Sequence, residues 1–269
     1  MNYILSKQKI KYIQSLKIKK YRQMYANFIV EGDKMAIELL NDKNIEIENI
    51  IALSTWINDN QNILKPHLNK ILTATDADLK QISNLSTPNK VFIIAKQPPF
   101  KVFDENSKQK ALIENSFSLY LDGIQDPGNM GTIMRIADWF SIPYIFCSET
   151  SVDIWNPKVV QASMGAFLRV KAFEVAFQDI KMHFPNLPIF ATILRGDNIF
   201  KMDAPNKGII VIGNEGSGIS DTILSQTDFK ISIPGGGGAE SLNAAVATGI
   251  VCAVLCSKWW IYWGGITLK

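Results

Sequence analysis

Cysteine and histidine are scarce in this chain of 269 residues, and what they fail to do narrows the reading first. The three cysteines, Cys147, Cys252 and Cys256, form no CxxC pair, and the two histidines, His67 and His183, stand far apart without ligand-like neighbours. A metal site is therefore not expected. Cys252 and Cys256 lie one helical turn apart in an apolar run, which reads as buried, reduced thiols of a cytoplasmic protein. Long hydrophobic runs are also missing. The longest, Ala244 to Cys256, is too short to span a bilayer and reads as a buried helix. The N-terminus lacks the apolar core of a signal peptide, so no membrane association is expected. Acidic residues are absent before Glu31, whereas Lys7, Lys9, Lys11, Lys17, Lys19, Lys20 and Arg22 crowd the same stretch. Net charge is only +3, so the imbalance is local. A block of one sign is either a solvated face or a surface for nucleic-acid phosphates. The interleaved Tyr12, Tyr21 and Tyr25 suit RNA.

The glycine-rich turns lack the residues that nucleotide loops require. "IPGGGGAESLN", Ile233 to Asn243, has no Lys-Ser or Lys-Thr after its last glycine, and Glu240 stands where a dinucleotide loop needs its third glycine. "GNEGSGIS", from Gly213, misses both templates as well. A nucleotide-dependent enzyme of either standard class is disfavoured.

What is present is a strong alternation of apolar runs and helical stretches, over a length sufficient for two domains. The N-terminal part reads as a helix from Gln8 to Tyr25, a strand at "FIVEG", and alternating short helices and strands up to "KVFIIAK". "QPPFKVFDENSKQK" reads as a linker, about residues 98–115, and the domain boundary falls near residue 105. Beyond it, "FSLYLD", "PYIFC", "RVKAF", "LPIFATIL", "GIIVIG" and "FKISIP" have strand length, with helical stretches between most of them. That pattern predicts an α/β domain with a parallel sheet covered by helices. Ligands of such sheets sit at the carboxyl ends of the strands. Three loops leaving strand ends carry unusual polar or glycine content: "DGIQDPGNMGTIMRIADWF", "GNEGSGIS" and "PGGGGAESLN". Asn129 is a candidate cap for the helix after the first, with Arg135 a turn and a half along it. Glu215 is held in a tight turn, where it could pair with Arg135 or accept hydrogen bonds from a ligand or a second chain. Ser241 is a candidate cap for the small-residue helix that follows.

The order N-x-G-x3-R (Asn129 to Arg135), NEGxG (Asn214 to Gly218) and IP…ESLN (Ile233 to Asn243), followed by an Ala-rich helix, resembles the SpoU (TrmH-like) family of RNA ribose 2′-O-methyltransferases. "WNPKVVQASMGAFLRV", Trp155 to Val170, is similar to that family's stretch between its first two motifs. "FIVEG" and "ISNLSTPNKVFIIA", Ile82 to Ala95, resemble segments of its L30e-like RNA-binding extension. The tail "KWWIYWGGITLK" from Lys258 departs from the family pattern.

The resemblance implies an L30e-like RNA-binding domain over residues 1–105 and a methyltransferase domain with a deep trefoil knot over 106–269. It implies S-adenosylmethionine as cofactor, with Thr192, Leu194, Gly213, Ile233 and Leu242 near it, and glycines where backbone passes close to backbone. It implies methyl transfer to a ribose 2′-hydroxyl of structured RNA, rRNA before tRNA. Arg135 would activate that hydroxyl or bind its phosphate, and Asn129, Glu215, Ser241 and Asn243 would orient the groups. A guanidinium is a poor base at its ordinary pKa. The family acts as a homodimer in the cytoplasm, with residues of both chains at each site. Lys7, Lys11, Lys17, Lys19, Lys20 and Arg22 would meet RNA phosphates. A non-catalytic RNA-binding protein remains the alternative. It does not require the three motifs together.

Overall fold

The computed structural model describes residues 5–99, 108–203 and 205–256. They divide into two compact units. One is drawn from Met1–Phe100 with Asp153–Leu168, the other from Lys101–Val152 with Arg169–Lys269.

In the first unit α1 (Lys7–Ser15) and α2 (Lys19–Tyr25) lead into β1 (Asn27–Glu31). Then come α3 (Asp33–Asn41), β2 (Ile47–Leu53), α4 (Ser54–Asp59), α5 (Gln61–Leu64), β3 (Ile71–Ala74), α6 (Asp76–Ile82) and β4 (Val91–Lys96). The strands lie in the order β1-β4-β2-β3, with β4 antiparallel to both neighbours and β2 parallel to β3. Ile10, Ile13 and Leu16 recur at helical spacing and pack with Leu79 and Ile82 of α6 on Ile51, Phe92 and Ile94.

The single helix expected from Gln8 to Tyr25 is broken. Ile18 is extended (φ −103°, ψ 129°), and the Arg22 Nη1 donates to the Leu16 carbonyl at 2.9 Å. A side-chain donor from the following helix thus meets a carbonyl at the helix end, which periodicity cannot reveal. The expected boundary at 105 lies outside the described residues. Two other features differ from the expected division. The second part of the supposed linker is helix α7 (Lys108–Asn115). The stretch Asp153–Leu168, expected in the second domain, belongs to the first unit. Its Trp155 lies against Phe28 at a centroid distance of 4.5 Å and Phe167 meets the same ring edge-on at 5.7 Å. These large apolar side chains cover the face of β1 opposite the α1–α6 layer, so all five β1 residues are buried.

The second unit runs α7, β5 (Phe117–Asp122), α8 (Pro127–Trp139), β6 (Tyr144–Cys147). Helix α9 (Pro157–Ser163) lies in the segment that packs in the first unit. Thereafter come β7 (Lys171–Glu174), α10 (Phe177–His183), β8 (Ile189–Asn198), β9 (Gly208–Gly213), α11 (Asp221–Leu224), β10 (Phe229–Ser232) and α12 (Ala244–Cys256). The sheet order is β10-β8-β9-β5-β6-β7, and every pairing is parallel. The expected α/β parallel sheet is therefore present. From β5 the chain moves outward through β6 to β7, then crosses to β8. The reversal of direction falls between β5 and β9. Helix α12 packs on α8 through a face of small residues, where a Cβ on Gly249 would stand 3.7 Å from Ile136 Cδ1. Among the described residues no helix is long and apolar enough to cross a membrane.

Candidate active site

The three loops singled out in the sequence leave the carboxyl ends of β5, β9 and β10. Each is shaped locally before it meets the others. After β5, Asp126 caps α8 by accepting from the Asn129 backbone N–H at 2.7 Å, with Pro127 in the first turn. Asn129, expected to be the cap, instead stands in the first turn with its side chain free for other work. After β9, Asn214 folds the turn. Its Oδ1 accepts from Gly216 N at 2.8 Å and Ser217 N at 3.0 Å, and its backbone pairs with Gly218 in both directions. Before α12, Asn243 is the cap, accepting from Ala245 N at 2.9 Å and Val246 N at 3.2 Å. Ser241 does not cap. It is exposed and has no partner among the described residues.

Side chains then join the loops. The Asn129 Nδ2 donates to Glu215 Oε1, and Asn129 Oδ1 accepts from Asn243 Nδ2 at 2.9 Å. One amide thus bridges all three motifs, with donor and acceptor ends both assigned. The other Glu215 oxygen has no partner among the described residues, so it can accept from an incoming donor. Two further bonds brace the switch point between β5 and β9. Asn214 Nδ2 donates to the Gly123 carbonyl at 2.7 Å, and Ser220 N donates to Asp122 Oδ2 at 2.8 Å. Asn214, Asp122 and Asp126 were missed as positioning residues in the sequence. The Asp-Pro dipeptide at a helix start and the Asn ahead of Glu-Gly were the signals available for two of them.

Arg135 does not join this network. Six residues beyond Asn129, it lies roughly 120° round the α8 axis from it. It is exposed, and it forms no ion pair or side-chain hydrogen bond among the described residues. The anticipated Glu215–Arg135 pair is therefore absent, and Asn129 takes its place.

The expected cofactor residues flank the same strand ends. Between the pairs Ala191–Lys230 and Ile231–Asp197 the β8–β10 register shifts, so five residues of β8 bulge out. Thr192 is tied down there by a 2.8 Å bond to the Val211 carbonyl, whereas Leu194 is 72% exposed. Ile233 follows β10 half-buried, and Leu242 is 46% exposed just before the α12 cap.

The glycines singled out in the sequence divide into two cases. A Cβ on Gly213 would fall 2.4 Å from Gly218 C and 2.5 Å from Ile219 N. Its bare Cα is demanded by the chain's own returning loop, and no ligand need be invoked. Gly235 to Gly238 are the opposite case, since a Cβ on any of them would meet nothing within 4 Å. They are not required by close passage of this chain. Instead, their backbone N–H groups make no backbone hydrogen bond among the described residues, leaving a row of free donors.

The basic block of the first unit is also uneven. Arg22 is only 2% exposed. Its Nε donates to Asp153 Oδ2 at 2.8 Å, Nη2 reaches the same oxygen, and Nη1 holds the Leu16 carbonyl. It is a structural cation, buried and paired, and cannot meet a phosphate. Lys17 donates to the Ser83 carbonyl at 2.9 Å, and burial pulls its pKa down against the opposing pull of Glu31. Lys7, Lys11 and Lys20 are exposed.

A parallel sheet with polar side chains joined across its switch point, and free backbone donors on another strand-end loop, has the form of an α/β protein that binds a ligand at its strand ends. The family follows from comparison. Residues 116–253 match the SpoU rRNA Methylase family, and residues 7–93 match the MRM3-like substrate binding domain. The chain belongs to the SpoU rRNA Methylase family. A 23S rRNA (guanosine(2553)-2′-O)-methyltransferase, RlmP of Bacillus subtilis (strain 168), is 26% identical over 257 residues, covering 91% of this chain and 94% of that one. The structure of a protein assigned to the TrmH family of RNA methyltransferases, from Porphyromonas gingivalis, superposes with a TM-score of 0.81 at 32% identity. That likeness covers 94% of this chain and 98% of the other. The SpoU methyltransferase AviRb from Streptomyces viridochromogenes, solved with AdoMet, shares the fold (TM-score 0.79, 22% identity, 94% and 98% covered).

Proposed function

We propose that this chain transfers a methyl group from S-adenosylmethionine to the 2′-hydroxyl of a ribose in ribosomal RNA. The observation that carries it is the Asn129 bridge, which ties Glu215 and Asn243 into one unit at the switch point of the sheet. A binding module has no need of that arrangement.

The strand-end loops fit a cofactor that has no phosphate. They offer backbone donors at Gly235–Gly238 and apolar side chains at Leu194, Ile233 and Leu242, and no P-loop lysine. Thr192 and Gly213 complete the set that would hold it. When bound, S-adenosylmethionine supplies the methyl group from a sulfonium centre. The chain's own residues must align the ribose hydroxyl with that centre and draw off its proton. Glu215 has an open oxygen to accept from the ribose, Asn129 fixes the carboxylate, and Asn243 fixes Asn129. Ser241 stands beside them on the same loop.

Arg135 addresses the RNA, through the reacting hydroxyl or its neighbouring phosphate. Its place off the Asn129 face supports a homodimer in which residues of both chains serve each site. Membership of the SpoU family supports a C-terminal trefoil knot. Exposed Lys7, Lys11 and Lys20 support phosphate contact by the first unit, and the likeness to a bacterial rRNA methyltransferase supports a cytoplasmic protein.

Calorimetry with S-adenosylmethionine, paired with a transfer assay on rRNA, tests this reading. The wild type binds cofactor and transfers methyl, while Arg135→Ala binds near normally and transfers none. Absence of cofactor binding by the wild type, or full transfer by Arg135→Ala, defeats it.

A further inference from the structure

The first unit carries an open groove of about 550 Å³ whose walls include Lys9, Lys11, Tyr12, Tyr21, Tyr25 and Glu48. Its volume falls in the ~300–1,000 Å³ range of small-ligand clefts. Three tyrosines make one aromatic wall. Tyr21 and Tyr25 stand one turn apart on α2, their rings nearly parallel (16°) with centroids 6.4 Å apart. Tyr25 meets Tyr12 edge-on at 5.0 Å.

Tyr12 is held from behind. Its hydroxyl donates to Glu48 Oε2 at 3.2 Å and accepts from Asn27 Nδ2. Lys9 Nζ lies 4.6 Å from the ring centroid and bonds Glu48 Oε1 at 3.0 Å. Asn27 also donates to Glu48, and Lys96 Nζ stands 3.8 Å away. The Glu48 carboxylate is thus spent on neighbours and cannot also read a ligand's donors. Lys11 is different, being exposed and without a partner among the described residues. Tyr25 is 39% exposed at the end of α2, so part of its ring stays open to solvent beyond its contacts with Tyr12 and Tyr21.

An open aromatic face beside an unpaired cation is the chemistry that receives a splayed nucleobase and its phosphate. We propose that this groove takes one unpaired nucleotide of single-stranded RNA, its base on the Tyr21–Tyr25 face and its phosphate at Lys11. The proposal rests on the reading of the chain as an RNA-directed enzyme. It goes beyond that reading by selecting an unpaired nucleotide over duplex and by making recognition tolerant of base identity. A base inside a duplex is already stacked and cannot enter.

The probe is a single-stranded oligoribonucleotide carrying 2-aminopurine, compared with the same strand annealed to its complement, on the full chain. The expected result is fluorescence quenching with the single strand and weak binding of the duplex. Tyr25→Ala should weaken single-strand binding roughly ten- to a hundredfold and remove the quench, since stacking on one ring is at stake. Tyr25→Phe should keep both, because the ring acts and the hydroxyl does not. Lys11→Ala should lower the salt slope by about 0.7 and keep the quench. Tyr21→Ala gives an independent test of the same face, and thermal melts separate lost binding from lost folding. Absence of a quench in the wild type overturns the proposal. So does unchanged affinity in a folded Tyr25→Ala, or duplex bound as tightly as single strand. Methyl transfer to rRNA without a quench sinks the groove and leaves the enzyme. A quench without methyl transfer sinks the enzyme and leaves the groove.

Discussion

Replacing Arg22 by alanine separates a structural cation from an RNA contact. Arg22 is buried, and its guanidinium meets Asp153 Oδ2 through two nitrogens and the Leu16 carbonyl through the third. Asp153 is itself only 13% exposed. Removing one partner of a buried pair costs about 3–5 kcal/mol, because the other charge stays buried without compensation. The residual water access of Asp153 favours the lower end, about 3 kcal/mol. The loss of the Leu16 carbonyl's donor at the α1–α2 break adds to it without being independent of it. The double variant Arg22→Met/Asp153→Asn should recover much of that loss, since no lone charge remains. Urea unfolding followed by tryptophan fluorescence is the assay, because Trp155 packs on Phe28 in the same unit. The salt dependence of RNA binding should stay unchanged in the double variant. A loss below about 1 kcal/mol in Arg22→Ala, with the salt slope shallower by nearly one unit, would refute the reasoning and return Arg22 to the RNA face.

Three further outcomes follow from the geometry. Asn129→Ala disconnects Glu215 from Asn243 at an exposed site, so kcat should fall at least tenfold while the urea midpoint moves little. Preserved kcat would remove Asn129 from the site. Gly213→Ala puts a Cβ 2.4 Å from Gly218 C, so the 214–218 turn must shift. Stability and cofactor affinity should drop together, and a loss of affinity alone would show that ligand approach sets the glycine. Burial pushes the Glu48 pKa up, but Lys9, Asn27 and Tyr12 outweigh it and hold the carboxyl below its usual value. A depressed folded pKa gives stability that is full above the ordinary carboxylate range and is lost as pH falls through the folded value. Glu48→Gln should therefore flatten the acid limb of the stability profile below about pH 4.5, and an unchanged limb would contradict the assignment.

Local signals carried most of the fold. Apolar runs at strand length became β5, β6, β9 and β4 with little shift in their ends, because those strands are buried on both faces and need continuous apolar residues. The broken α1–α2 helix was not legible, since the Arg22 guanidinium that meets Leu16 is held by Asp153, 131 residues along the chain. The docking of Asp153–Leu168 in the first unit was hidden for the same reason. Trp155 and Phe167 look like any apolar positions until Phe28 is beside them. In the site, the motifs and their order were readable, and the partners were not. Nothing in Asn129 and Glu215, 86 residues apart, announces their bond. Asp126 supplied the cap expected of Asn129, which released the Asn129 amide for that bond. The Trp-rich tail from Lys258 lies outside the described residues.

The central claim is that the ribose oxygen receives the methyl group. The full chain is incubated with ribosomal RNA lacking ribose methylation and with S-adenosylmethionine labelled in its methyl group, and the RNA is digested with alkali. A 2′-O-methyl group blocks alkaline cleavage at its own phosphate. Label recovered in alkali-stable dinucleotides, and lost with Arg135→Ala, is the predicted result. Label in mononucleotides, marking a methylated base, or no transfer at all would contradict the account.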